Sequence, residues 1–274
     1  MDEAHKQRKK IGLALSGGAA RGYAHLGVIK VLLENQIPID YIAGTSAGSI
    51  VGAALACELS IEKIIEIGSK MNWLKIAKFS YSTKGLLTNE PLGDFLRQHL
   101  PYHKFEDLPK PFAAVACDIE TGEEVVFKDR GDLITAIRAS CAVPGVFSPV
   151  EYNGKTLVDG GITSIVPVKA VRQLGAEVVI AVDVNASGAS YWGKPSTFLG
   201  ILFQSAMMLI RTAGKHQHYE ADIVITPNVS HLRPDEIGKM QEFIKAGEKA
   251  ALEKLSEIRK LIDLEKVDSF RSLE

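Results

Sequence analysis

The chain has 274 residues, 46% of them apolar, with 32 Lys and Arg against 33 Asp and Glu for a formal charge of −1. That length can bury a full core, and α/β folds of this size are commonly one domain. The basic residues are scattered among acids, which excludes the charged stripe of a nucleic-acid surface. Three cysteines, Cys57, Cys117 and Cys141, lie far apart without paired spacing, and Cys57 and Cys117 sit in apolar patterns. The expected compartment is a reducing cytosol. Met1 to Lys10 is charged, and the apolar run after it is too short for a signal segment, so no secretion is expected. The longest apolar tract, 198–210, falls short of the ~20 residues that span a bilayer, and the expectation is a soluble protein.

In chain order, 11–15 reads as a buried strand, 20–35 as a helix, 39–43 as a second strand and 47–57 as a second helix. Short connections between apolar strands and helical patterns predict a mostly parallel sheet with helices on both faces, the first two strands side by side. Helical periodicity returns over 60–69 and 89–100, where Asn89 is placed to cap and Pro91 suits the first turn. Between them 72–87, with Trp73, Phe79 and Tyr81 among lysines, reads as a packed connection ahead of a flap over a cleft. Segments 111–119 and 124–127 flank a Thr121-Gly122 turn and predict paired strands. Residues 132–140 are helical, and 156–158 is a strand running into Asp159-Gly160-Gly161.

A helix over 166–174 and a β-branched buried strand over 177–184 follow, then a mobile Gly- and Ser-rich loop at 187–196. A long apolar helix over 196–219 precedes a last strand at 223–226 and an amphipathic helix over 234–264, with Ile237, Met240, Phe243, Ile244 and Ala251 on its apolar positions. No repeat or linker divides the chain, which predicts one domain over 10–264 and a tail at 265–274.

The sharpest local signal is Gly44-Thr45-Ser46-Ala47-Gly48, where an apolar run turns into a helical pattern. The G-x-S-x-G spacing suits a nucleophile elbow, because Gly44 and Gly48 carry no Cβ to obstruct the tight strand-to-helix turn that pushes a serine outward. Ser46 is therefore the candidate nucleophile; a helix cap in a packing turn satisfies the same letters. Ser16 to Gly22 stands where the first strand hands over to the first helix, with backbone N–H groups at a helix N-terminus that favours anions. It fails G-x-G-x-x-G, no acid ends the second strand, and Gly22 is followed by Tyr23 and Ala24 in place of the Lys-Ser of a phosphate loop. Adjacent parallel strands open both loops on one rim, which sets Gly17 to Ala19 near Ser46 as an oxyanion hole requires. Plain strand-helix packing also uses such glycines.

The proton acceptor stays open at this level. His231, with Asp183 before it, matches the Ser, acid, His order of α/β-hydrolases, although Ser46 follows only the second strand. His216 and His218, two apart on a helix, face different ways, and His25 reads as a hydrogen-bonded core residue. Val158-Asp159-Gly160-Gly161 puts a carboxylate on a glycine turn, which alone is an ordinary β-turn.

Taken together, SGGAARG (Ser16 to Gly22), GTSAG (Gly44 to Gly48) and DGG (Asp159 to Gly161), with support from Arg138-Ala139-Ser140 and Phe147-Ser148-Pro149, resemble the patatin-like phospholipase family. The resemblance covers roughly residues 11–230, and 37–56 is similar to the small bacterial cytosolic members. It implies a three-layer α/β fold and a Ser-Asp dyad without histidine: Ser46 as nucleophile, Asp159 as proton acceptor, the amides of Gly17, Gly18 and Ala19 as oxyanion hole, and Arg21 as the residue that orders the loop. It further implies a lipid or ester substrate. No calcium loop or zinc ligand set is visible, so no metal and no cofactor are expected, and the expected protein is cytoplasmic with peripheral contact at the inner membrane face. Ala19 departs from the family's run of glycines and limits that position to conformations open to a Cβ. A solvated aspartate, with a pKa of about 3.9, is too weak a base for serine, so a dry pocket around Asp159 is predicted. Val143, Val146 and Phe147 are candidate liners of an acyl channel or ordinary core. The alternative function is a regulatory or lipid-sensing protein that keeps the fold and hydrolyses little. The apolar faces of 198–210 and of the last helix are assigned to core packing or a homo-oligomer interface ahead of lipid contact.

Overall fold

The computed structural model describes residues 8–80, 84–188 and 194–262. Most of the N-terminal segment, Tyr81, the middle of the 187–196 loop and the 265–274 tail lie outside the described residues.

Strand β1 (Ile11–Leu15) is buried throughout and pairs in parallel with β2 (Tyr41–Thr45), Leu13 opposite Ile42. On its other side lies β9 (Val178–Val182), with β10 (Ile223–Ile225) beyond it, and β5 (Phe112–Asp118) flanks β2; all these pairings are parallel. Beyond them the sheet turns antiparallel. β6 (Glu124–Phe127) and β8 (Lys155–Asp159) both run against β5, and β7 (Val150–Tyr152), a strand without a sequence-level expectation, forms a hairpin with β8.

Residue size alternates with the pleat and decides what covers each face. Leu13, Leu15, Ile42, Phe112, Ile180 and Val182 point into one cluster, together with residues of α1 (Tyr23–Glu34), α2 (Ala47–Ala56) and α9 (Met240–Leu261). The intervening Ala14, Ala43, Ala113, Val179 and Ala181 face a second cluster built from Ile165, Val166 and the short α7 (Val168–Gln173). Small residues on that face let the short α7 close over it, with Ile210 of the later helix over 198–217 packed beside it. The layers are therefore helices, sheet and helix, as expected, although the antiparallel half qualifies the mostly parallel sheet.

Several local expectations give way to tertiary contacts. The helix expected from residue 20 begins as a tighter turn over Ala19–Gly22, because Ala20 donates to the Pro234 carbonyl (2.9 Å) and Arg21 N–H reaches back to Gly18 O (3.1 Å). Ser60 caps α3 (Ile61–Ser69) through the Lys63 amide at 3.2 Å. Asn89 occupies the cap position of α5 (Glu90–His99), but its side chain does not cap. Its Nδ2 donates to Arg138 O (2.7 Å), and its Oδ1 accepts from Arg138 Nε (3.2 Å) at the end of α6 (Leu133–Ser140). The last helix starts at Met240, not at residue 234.

Two apolar stretches are only partly core, Ile76 of one and Ile210 of the other packing against the two clusters. Segment 72–87 is a short helix, α4 (Trp73–Ile76), and one side of an antiparallel ribbon, β3 (Lys78–Phe79) with β4 (Leu87–Thr88). Backbone bonds, Leu87 N–H to Val146 O (2.9 Å) and Ser148 N–H to Leu87 O (2.8 Å), hold this ribbon and leave Leu74, Phe79 and Leu86 exposed. On α8 (Phe198–Gln217), Phe198, Ile201, Leu202, Met208 and Leu209 are also exposed, so these side chains are not packed in the core.

Phe243 is the largest fully buried side chain and joins α9 to the main cluster. Phe243→Ala should lower the unfolding free energy by about 3–5 kcal/mol, read from denaturant titration as a lower midpoint at unchanged slope.

Candidate active site

Between the end of β2 and the start of α2 a single residue, Ser46, turns the chain. Its φ of 52° and ψ of −125° belong to the glycine-favouring half of the map, a conformation that costs about 1–3 kcal/mol and persists only where the surroundings enforce it. They do so here. A Cβ on Gly44 would fall against the backbone of Gly48, and one on Gly48 against the Leu15 carbonyl, so only glycine allows this approach. The Ser46 amide donates to Ser140 Oγ (2.8 Å), and its carbonyl accepts from the Ser49 amide (2.8 Å) and hydroxyl (2.6 Å). Although Ser46 stands at the cap position of α2, its side chain makes no capping bond. That removes the helix-cap reading.

Asp159 is brought to Ser46 by β5. One edge of β5 carries β2 up to the Thr45↔Val115 pair and then β8 from the Asp159↔Ala116 pair onward, while β6 occupies the other edge. Where β2 leaves at the elbow, β8 takes its place, and the carboxylate arrives at the position the serine has just vacated along the sheet. Asp159 is buried, and its carboxyl is pushed up to about 6 from 3.8, chiefly by burial. The Ser46 side chain and the Gly161 amide, 2.8 Å from Oδ1, act in the opposite direction by hydrogen-bonding the anion. One carboxyl oxygen closes the glycine turn of the β-turn reading, and the Ser46 side chain also bears on the carboxyl. Cys141 is a buried neighbour whose thiol is raised by burial and by the charge of Asp159, and so stays protonated.

The glycine loop lies against the same spot: a Cβ on Gly17 would stand 3.1 Å from that of Ser46. Of the three expected oxyanion donors, Gly17 has its N–H bonded to Ile165 O at 3.0 Å. Among the described residues no protein acceptor engages the amides of Gly18 and Ala19. Ala19 adopts φ 51°, the small left-handed region that a Cβ tolerates, and so holds a turn usually left to glycine. Arg21 is buried, donates from Nη2 to Gly188 O (3.0 Å) and reaches Asn185 Oδ1 at 3.5 Å. Asn185 in turn donates to the Gly17 carbonyl, at 2.5 Å, and Ser16 Oγ accepts from Val184 N–H at 3.0 Å. The segment after β9 therefore clamps the loop. Ser140 and Asn185 were not singled out from sequence; Ser140 sits within the Arg138-Ala139-Ser140 run, and no local pattern marks Asn185.

The histidines stand elsewhere. His231 is exposed, and Asp183 accepts from His218 Nε2 at 2.8 Å. His25 is fully buried, bonded at 2.8 Å to the Ser16 carbonyl, and burial lowers it to about 4. It is the neutral core histidine expected.

Ser46 and Ala19 lie in the wall of a cavity of about 560 Å³, a volume typical of small-molecule sites. Leu26, Ile50, Ile64 and Leu92 form much of its lining, and Val143, Val146 and Phe147 line it too. Among the described residues no group of three or more His, Cys, Asp or Glu side chains is placed to hold a metal ion, and no helix is long and apolar enough to cross a membrane.

A serine on a strained elbow, with a buried carboxyl beside it, thus stands in the wall of an apolar cavity on an α/β sheet. The family model for patatin-like phospholipase matches residues 13–172, and the chain belongs to that family. An uncharacterized NTE family protein of Mycobacterium tuberculosis is 39% identical over 183 residues, covering 66% of this chain and 50% of that protein. Patatin-like phospholipase domain-containing protein 6 of Homo sapiens is 33% identical over 186 residues, 64% of this chain and 13% of that protein. The chain thus spans about half the length of the mycobacterial relative and far less of the human one. Among solved structures, VipD from Legionella pneumophila superposes with a TM-score of 0.54 at 16% identity, covering 94% of this chain and 72% of that one. Human GIVD cytosolic phospholipase A2 does so at 0.51 and 11% identity, covering 96% and 60%. Both share the fold.

The raised carboxyl has a consequence for stability. The folded protein holds the Asp159 proton more tightly than the unfolded chain, so ionisation costs stability as pH rises from about 4 through about 6. Asp159→Asn should remove that cost and raise the unfolding free energy by up to about 3 kcal/mol at pH 8, with little gain at pH 4. Denaturant titrations at the two pH values check the difference.

Proposed function

We propose that the protein is a serine acyl hydrolase acting on lipid esters, a phospholipase A or lysophospholipase, with Ser46 as nucleophile and Asp159 as its base. The observation that carries this reading is the meeting of Ser46, on its strained elbow, with the buried Asp159 carboxyl where β8 replaces β2 along β5, burial that pushes the carboxyl up to about 6. An aspartate at that value is ionised at neutral pH yet basic enough to share a serine proton, which a solvated one is not. Ser46 Oγ attacks the ester carbonyl as its proton passes to Asp159. The carbonyl oxygen becomes an anion facing the Gly18 and Ala19 amides, donors that stabilise charge present only in the transition state. Collapse expels the alcohol portion, which takes the proton from Asp159. Water then attacks the acyl-Ser46 ester, giving its proton to Asp159, and the acid leaves as Ser46 recovers a proton. The apolar cavity suits the acyl chain. A relative from Candida albicans, Lysophospholipase NTE1, 27% identical over 271 residues and matched over 20% of its length, bears a name that agrees with this chemistry. The purely regulatory alternative gains nothing from Ala19, whose left-handed backbone leaves its amide free.

Fatty-acid release from phospholipid and lysophospholipid should vanish in Ser46→Ala and fall by about 10²–10⁴ in Asp159→Asn. His231→Ala and His218→Ala should stay within a few-fold of the parent. Retained activity in both dyad variants sinks this reading. The rate should also show an acid limb with an apparent pKa near 6, falling as pH drops and Asp159 is protonated.

A further inference from the structure

The cavity wall includes Met71 and Ile76, and the residues around them turn apolar side chains outward. Leu74 is 93% exposed, Phe79 81% and Leu86 71%. Bare clusters of this kind mark a surface that meets something apolar. They sit on α4 and the β3–β4 ribbon, whose backbone is bonded to Val146 and Ser148 beside the wall residues Val146 and Phe147. Along this stretch of sequence the charge is one-sided. From Ile67 to Asn89 there is no Asp or Glu, against four lysines, Lys70, Lys75, Lys78 and Lys84. Lys70 pairs with Glu66 and Lys84 with Glu151, whereas Lys75 and Lys78 have no carboxylate partner among the described residues.

We propose that this segment docks the protein on an anionic lipid surface, with Leu74, Phe79 and Leu86 among the acyl chains and Lys75 and Lys78 at the headgroup phosphates. Apolar side chains alternating with cations are what an interfacial element needs. Ile76, which lies between the exposed Leu74 and Phe79 in sequence, lines the cavity, so the docking segment and the proposed acyl site share one stretch of chain. The purpose of docking rests on the acyl-hydrolase reading; the binding itself does not. A second copy fits less well, since a two-fold pairing through this patch sets its lysines against their own equivalents. The apolar stripe on α8 contributes no residue to the cavity wall and serves as the comparison.

The test is co-sedimentation of the full chain with vesicles of phosphatidylglycerol and phosphatidylcholine. The parent should bind in a salt-sensitive manner and bind pure phosphatidylcholine weakly. Leu74→Ser, Phe79→Ser and Leu86→Ser combined should weaken binding roughly tenfold or more, and Lys75→Glu with Lys78→Glu should abolish the preference for anionic vesicles. Hydrolysis of a short soluble ester and the thermal midpoint should not change. The proposal is overturned if the triple variant binds like the parent, if Phe198→Ser with Leu209→Ser removes binding in its place, or if the parent binds no vesicle and forms a dimer that the triple variant dissolves. Vesicle binding through these residues by a protein without esterase activity supports docking while removing the proposed reaction.

Discussion

Burial of one carboxyl group organises this site. Asp159 is dry because β8 enters the sheet at the point on β5 where β2 has just departed, so the acid is enclosed by the strand edge, the elbow and the Gly160-Gly161 turn. Desolvation raises its basicity, and the donors it keeps, Ser46 and the Gly161 amide, hold it in ionisable form. Burial and these donors pull its basicity in opposite directions.

The elbow depends on the same economy of space. Ser46 holds an unfavourable backbone conformation because Gly44 and Gly48 let α2 close onto β2 and β1, while Ser140 takes the Ser46 amide from another helix. The glycine loop is fastened similarly from outside, by Ile165 at Gly17 and by Asn185 and Arg21 through the segment after β9. Each catalytic candidate is positioned by an element distant in sequence. Rigidity of this sort is what the proposed base and amides need to act together without reorganising.

Polarity separates the inside of the cavity from its surroundings. Its wall is aliphatic and aromatic near Ser46, and the charged groups Arg233 and Asp235 at its border are paired with each other at 2.7 Å. The nearby ribbon, by contrast, keeps large apolar groups in the open.

Much of this was legible in the chain itself. Apolar runs and glycine turns located β1, β2, β5, β9 and the helices between them, because burial on both faces of a parallel sheet leaves a continuous apolar signature. Three short motifs marked Ser46, Asp159 and the loop, because tight turns admit few residue types. Which partner each polar group took was a matter for the tertiary structure. Asn89 left its cap for Arg138, Gly17 gave its amide to Ile165, Asp183 paired with His218, and Leu74 and Phe79 were left outside the core. Local pattern determines which conformations a segment can hold; competition among partners far apart in sequence decides burial and hydrogen bonding, and through them the basicity of Asp159.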